Sequence, residues 1–356
     1  MSLVLLTGCN KTSNTASKTE QTLKPFTVTD MGGRTVTIEK PINKAYASNL
    51  IGILYIRTMD ITKLGGYTNQ LSEDEKKYIP KEYWDLPYLG GWSTANPTAN
   101  IEELVKANID VILVTAIVDD KIIKMADKIQ SQTGIPTVIV SSDINQLGNA
   151  YKLLGQLFQN EERGAKLGQY CVDELNELSK VLATIPKAQA KKIYYAEGAN
   201  GLETDPFGSM HTQVFDFVGA VNVANIAENT TNGLVGQSTV SLEQIITWNP
   251  EYIIRNSTYT GSNNPTSAKA ILADPNWAGI KAVKDGRVYQ TPALPNNWVD
   301  RGPSVNRVLG VKWLANLLYP DVVKLDIRAE AKEFFKLFYN LDLTDEQLNY
   351  ILADSQ

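Results

Sequence analysis

The segment that most constrains this chain runs from Asn160 to Pro186, NEERGAKLGQYCVDELNELSKVLATIP, near the middle of the sequence. Leu167, Cys171, Leu175, Leu178 and Leu182 recur at steps of four, four, three and four. That spacing places them on one apolar stripe of an α-helix. Asn160 suits the N-cap, Glu161 and Glu162 suit the positive end of the helix dipole, and Pro186 marks a stop. Gly164 and Gly168 each cost about 1 kcal/mol relative to alanine, so the opening turns are the weak part of the helix. A helix of about 24 residues spans roughly 36 Å. Such an element is either one more packed helix or a rigid strut between two lobes.

Strand and helix patterns alternate on both sides of it. An alternating pair, FTVTD and RTVTIEKP around Gly32-Gly33, reads as a hairpin. KAYAS, VILVT and TVIVS then read as strands, with helices over residues 50–59, IEELVKAN, 121–133 and 145–158. Residues 67–88 are polar and tyrosine-rich, an excursion over the surface. After Pro186 the pattern restarts: KKIYYAEG, EYIIRN and RVYQTP as strands, with helices in SMHTQVFDFVG, SLEQIITW, Ser304 to Leu318 and from about Arg328 onward. This alternation predicts an α/β fold of two lobes, each a mostly parallel sheet with flanking helices, joined by one long α-helix.

The 356 residues suffice for two domains, and the net charge of -5 argues against nucleic acid as a partner. With two cysteines, Cys9 and Cys171, and one histidine, His211, a Cys/His zinc cluster, an HExxH helix and a disulfide scaffold are all excluded. No P-loop and no GxSxG nucleophile elbow occurs, and no internal apolar run is long enough for a membrane span.

The sequence echoes itself across the central helix. IEELVKANIDVILV and LEQIITWNPEYIIR share one grammar of apolar residue, glutamate, amphipathic helix, acidic residue and strand. Glu102 precedes Asp110 by the same interval as Glu243 precedes Glu251. A repeat placed about the long helix favours the strut.

These two units resemble the element carried by each lobe of helical-backbone substrate-binding proteins of ABC transporters, the iron-siderophore, haem and cobalamin type. The first copy has Ile109 where proline is usual, and the second keeps Pro250. The opening hairpin, GSMHTQVFDFVGAVNVA, DRGPSVNRVLGVKWLANLLYP and FFKLFYNLDLTDEQLNYIL resemble further segments of that family, so the likeness extends over most of residues 26–350. It implies that Glu102 and Glu243 are the surface carboxylates that dock on permease arginines; without it each is an ordinary helix N-terminal acid. Some catecholate-siderophore binders carry an iron-contacting histidine just before the second element, where this chain has Gln237. Leu6-Thr7-Gly8-Cys9 resembles a bacterial lipobox, which implies lipidation of Cys9 and an extracytoplasmic, membrane-anchored protein.

The expected organisation is a lipoprotein signal remnant at 1–9, a polar tether at 10–25, an N-terminal lobe at 26–159, the connecting helix at 160–186 and a C-terminal lobe at 187–356. Ligands of open α/β sheets gather beyond the carboxyl ends of the strands. The expected cleft residues are therefore Asn49, Tyr67 and Trp92 from the first lobe. The second contributes Glu197, Phe207, His211, Arg255, Trp298 and Arg301. Aromatic faces suit a flat or chelate-shaped ligand, and Arg255 or Arg301 matches its negative charge. Each has a plainer reading: Trp92 as a core plug, Arg255 as a partner of a nearby carboxylate, His211 as a helix-end residue. Trp298 and Arg301 lie in a Pro/Asn-rich loop with little core to fill. His211 can reach a metal only if that metal arrives already chelated, since no second histidine exists.

The reading is a monomeric solute-binding lipoprotein that captures a ferric siderophore, or else haem or a corrinoid, and delivers it to an ABC permease and its ATPase. It needs no cofactor. The rival from another class is an extracytoplasmic enzyme on the same scaffold with His211 as base.

Overall fold

A computed structural model of the protein describes residues 24–92, 98–226, 237–257 and 267–355. Cys9 and most of the proposed tether lie outside the described residues. The chain opens with an antiparallel hairpin, β1 (Phe26–Thr29) and β2 (Thr35–Ile38). Three parallel strands follow in the order β3 (Ala45–Ala47), β4 (Val111–Ala116), β5 (Thr137–Ser141). Their helices are α1 (Leu50–Asp60), the short α2 (Glu73–Lys76), α3 (Ile101–Lys106), α4 (Asp120–Thr133) and α5 (Leu147–Leu157).

The central helix α6 runs over Glu161–Leu182, 22 residues. Asn160 caps it by accepting the Arg163 amide at 3.3 Å. The helix stops before Pro186 because residues just before proline are driven out of the α region. Residues 183–185 instead close as tighter turns, with Thr184 and Ile185 amides on Val181 and Leu182 carbonyls. Its stripe is buried as the spacing predicts at Leu167, Cys171, Leu175 and Leu178.

Beyond it lie β6 (Lys192–Ala196), a two-residue β7 (Glu203–Thr204), α7 (Gln213–Phe217), β8 (Val221–Asn222), β9 (Ser238–Thr239), α8 (Leu242–Trp248) and β10 (Tyr252–Arg255). Then come α9 (Ala268–Ala273), α10 (Lys281–Lys284), β11 (Val288–Gln290), α11 (Arg307–Leu318), α12 (Ile327–Tyr339) and α13 (Asp345–Ile351). The second sheet is parallel in the order β11-β10-β6-β8. The molecule is thus a two-lobed α/β protein with one parallel sheet before the long helix and one after it.

Strand alternation sorts the core. Val111, Leu113, Val138 and Val140 face inward, as do Ile193, Tyr195, Tyr252 and Ile254 from the second sheet. They share one continuous core with α6 and the phenylalanines of α12. The intervening residues Ile112, Val114 and Ile139 form a separate outer cluster, and Tyr194, Ala196 and Ile253 form another.

The echo seen in the sequence is structural. Asn108 and Asn249 both adopt left-handed backbone, φ 55° and 46°, just before β4 and β10. Asp110 then accepts the amides of Asn43 and Lys44 at 2.8 and 2.9 Å, and Glu251 accepts that of Lys192 at 3.1 Å. In each lobe the acid pins the start of the neighbouring strand.

Gly164 and Gly168 also acquire a reason. A Cβ on Gly164 would sit 2.5 Å from the Tyr151 carbonyl oxygen and 2.6 Å from the Gly155 Cα; one on Gly168 would sit 2.7 Å from the Gly148 carbonyl oxygen. The glycines that weaken the helix in isolation let α5 and α6 pack backbone to backbone.

Candidate functional site

The carboxyl ends of the two sheets converge where α1 begins. Gly302 lies against Leu50 and Ile51 of the first turn of α1, so the loop before α11 closes on the first lobe there. Asn49 is the N-cap of α1: its side chain accepts the Gly52 amide, donates to the Thr115 carbonyl at 2.7 Å and accepts the Thr115 hydroxyl. It fixes the helix start to the end of β4 and takes the Gly52 amide, leaving the Leu50 and Ile51 end of the first turn at the lobe junction.

Opposite stands Arg301. Its backbone is left-handed at φ 56°. Its Nε and Nη2 donate to Glu197 Oε1 at 2.9 and 2.6 Å, and Nη2 also reaches Asp205 Oδ2 at 2.5 Å. Asp300 Oδ2 lies 3.3 Å from Nε. Glu197, Asp205 and Asp300 are all fully buried, while the Arg301 side chain keeps 23% exposure. The guanidinium is therefore held rigidly from behind with one edge open.

Asp300 also binds His211, Oδ1 to Nδ1 at 2.7 Å, and Arg307 stands 3.9 Å from the same oxygen. The His211 side chain is 12% exposed. Arg307 is spent on Gln213, the Met210 carbonyl and the Val299 carbonyl.

Burial and its hydrogen bond with Asp205 hold the Glu197 carboxyl well above the usual carboxylate range. Burial raises Asp205 too, against the pull of Arg301. Burial alone raises Asp300 as well, but His211 and the two arginines outweigh it and keep that group ionised. Asp205, His211 and Asp300 also offer ligand atoms within 4.8 Å of one another, a geometry able to hold a metal, although Arg301 already occupies one Asp205 oxygen.

Several expected cleft residues prove to serve the scaffold. Trp298 is fully buried and packs at 6.4 Å on Phe335 of α12; the loop has a core to fill because α12 returns beneath it. Arg255 is buried with its guanidinium donating to the carbonyls of Ala196, Asn256 and Gly198. Neither presents a free face to a ligand. Tyr67 is buried, and its hydroxyl donates to the Tyr83 carbonyl. Trp92 is half-buried against the outer cluster of the first sheet, its amide on the Ser48 carbonyl.

Phe207 stands out at 65% exposure in the turn after Asp205. His211 lies in the turn before α7, not within it, since its amide is taken by the Ser209 hydroxyl and the helix starts at Gln213. Gln237 donates to Glu197 at 3.4 Å. Asp205, Asn256, Asp300 and Arg307 are not singled out by the sequence, although for Asp300 and Arg307 the polar residues crowded into VDRGPSVNR are a signal. Glu102 and Glu243 are both exposed, near the starts of α3 and α8.

A family model described as periplasmic binding protein matches residues 98–294. The molybdate-binding protein MolA of Haemophilus influenzae is 26% identical over 340 residues, 88% of this chain and 90% of that protein. An ABC transporter solute binding protein from Sulfurospirillum deleyianum shares 31% identity with a TM-score of 0.81, over 91% of this chain and 98% of that one. A periplasmic solute binding protein from Veillonella parvula shares 25% identity with a TM-score of 0.74, over 93% and 98%.

Proposed function

The chain belongs to the periplasmic binding protein family, and on that premise we propose that its interlobe cleft captures a compact anionic solute of the molybdate class. It is an ABC transporter solute-binding protein that delivers its ligand to a permease, and it is not an enzyme; the reading of His211 as a catalytic base is set aside. Among the described residues no helix is long and apolar enough to cross a membrane.

The observation that carries the ligand reading is Arg301, clamped by Glu197 and Asp205 with one edge open and followed by Gly302, which lies against the first turn of α1. The first turn of α1, met by Gly302 of the same loop, a fixed guanidinium and the His211 ring supply the kinds of donor an oxyanion needs. The burial of Trp298 and Tyr67 removes much of the aromatic wall that a flat iron chelate, haem or corrinoid requires. The likeness to a molybdate-binding protein supports the same choice. A second reading, an iron-siderophore chelate, is favoured by the exposed Phe207 and the half-buried Trp92.

Titration calorimetry against molybdate, tungstate, sulfate and a ferric catecholate separates the two. The reading expects heat with molybdate or tungstate, abolished by Arg301→Gln. Binding of the ferric catecholate alone, with Trp92→Ala and Phe207→Ala each weakening it, overturns the oxyanion in favour of the chelate. Glu102 and Glu243 are the proposed permease-docking carboxylates, and Cys9 the proposed lipid attachment.

A further inference from the structure

Arg163, in the first turn of α6, makes four hydrogen bonds to helix ends. Its Nε donates to the Met59 carbonyl at 2.7 Å and its Nη2 to that of Thr58 at 2.6 Å, both in the last turn of α1. The same Nη2 reaches the Leu337 and Phe338 carbonyls, each at 3.3 Å, in the last turn of α12. Last-turn carbonyls have no partner within their own helix, and a guanidinium satisfies them while opposing the negative end of the dipole. One side chain thus ties α1 of the first lobe and α12, from the C-terminal part of the chain, to α6.

The opposite flank of α12 holds the other wall of the cleft. The Tyr339 hydroxyl donates to Asn306 Oδ1 at 2.7 Å, and Asn306 Nδ2 in turn donates to the Asn296 carbonyl at 3.1 Å. Phe335 backs Trp298 in the same loop, the loop that carries Asp300 and Arg301. Arg57 of α1 lies 5.7 Å over the Tyr339 ring, so one tyrosine touches both walls. Phe338 meets Tyr151 of α5 edge-on at 5.5 Å. Lys312 of α11 is buried between Glu174 of α6 and Glu330 of α12, closing the frame at its far end.

We propose that α12 is a second brace between the lobes, parallel in purpose to α6, and that Arg163 and Tyr339 are positioning residues that set the distance between the α1 N-terminus and Arg301. A lobe joined by one helix alone can rock about it; one joined by two, pinned at both ends, presents a preformed cleft. Neither residue touches the ligand. Their effect on binding rests on the cleft proposed above, whereas the brace does not.

The test places spin labels at the exposed positions Lys128→Cys of α4 and Lys284→Cys of α10 in a Cys9→Ser background, and measures interlobe distances without ligand. The parent is expected to give one narrow distribution. Arg163→Ala is expected to broaden or split it and to weaken molybdate binding severalfold; Arg163→Lys restores most of both. Tyr339→Phe, which keeps the ring and the fold, is expected to give a smaller broadening in the same direction. An unchanged narrow distribution in folded Arg163→Ala and Tyr339→Phe overturns the brace. Broadening with unaltered molybdate affinity overturns the positioning role. A parent that binds no molybdate refutes the ligand reading instead, and the distances still decide the brace.

Discussion

Replacing Gly164 by alanine sets helix propensity directly against packing. On an exposed helix the change stabilises by about 1 kcal/mol. Here the added methyl would sit 2.5 Å from the Tyr151 carbonyl oxygen and 2.6 Å from the Gly155 Cα, both backbone atoms that no rotamer change can move. Carbon atoms in contact prefer roughly 3.5–4.0 Å, so α5 has to retreat from α6 by about 1 Å. A gap of that size forfeits about a quarter to a half of each dispersion contact along the seam. Overpacking of this kind costs about 1–3 kcal/mol, and more where only backbone can yield. The propensity gain offsets part of it, leaving a net destabilisation of about 1–2 kcal/mol. Urea unfolding, read by circular dichroism, should show a lower midpoint with an unchanged slope. Ala165→Gly, at the exposed neighbouring position, should cost about 1 kcal/mol by propensity alone. A Gly164→Ala protein as stable as the parent, or more so, would refute the account of α5–α6 packing.

Glu197 holds its proton more tightly folded than unfolded, so the folded state binds more protons above the ordinary glutamate range. Its contribution to stability is full below pH 4.5 and declines as pH rises; Glu197→Gln should flatten that part of a stability–pH curve measured by chemical denaturation. Cys171 is fully buried on the inner stripe of α6, and burial pushes its thiol up, so iodoacetamide should leave it unmodified in the native protein and alkylate it only in denaturant. Glu102→Ala with Glu243→Ala should leave ligand affinity unchanged and abolish uptake in a reconstituted transporter; normal uptake would remove the docking assignment.

What was legible in the sequence was whatever repeats locally. The period of α6, the alternation of strands and the matched Glu102–Asp110 and Glu243–Glu251 units all survive into the fold because each is written in neighbouring residues. The cleft was read less well because its composition depends on distant partners. Trp298 looked like a free aromatic in a polar loop; α12, entering from farther along the chain, supplies the core that encloses it. Asp205 and Asp300 looked like ordinary loop acids, and only the fold places them on Arg301 and His211. Gly164 and Gly168 counted against the helix because propensity knows nothing of the partner backbone.

The position of α12 in the chain also governs the order in which this protein can be built. Its phenylalanines complete a core begun by residues hundreds of positions earlier, and contacts of such long range form late. Until Ile327–Tyr339 has been synthesised, the end of α1, the inner face of α5 and the underside of the Trp298 loop all lack their covering surface. Neither lobe is thus a self-sufficient folding unit, despite each having its own sheet. A chain truncated before Ile327 should accumulate as an open, aggregation-prone form, and α12 acts as the checkpoint that commits both lobes together.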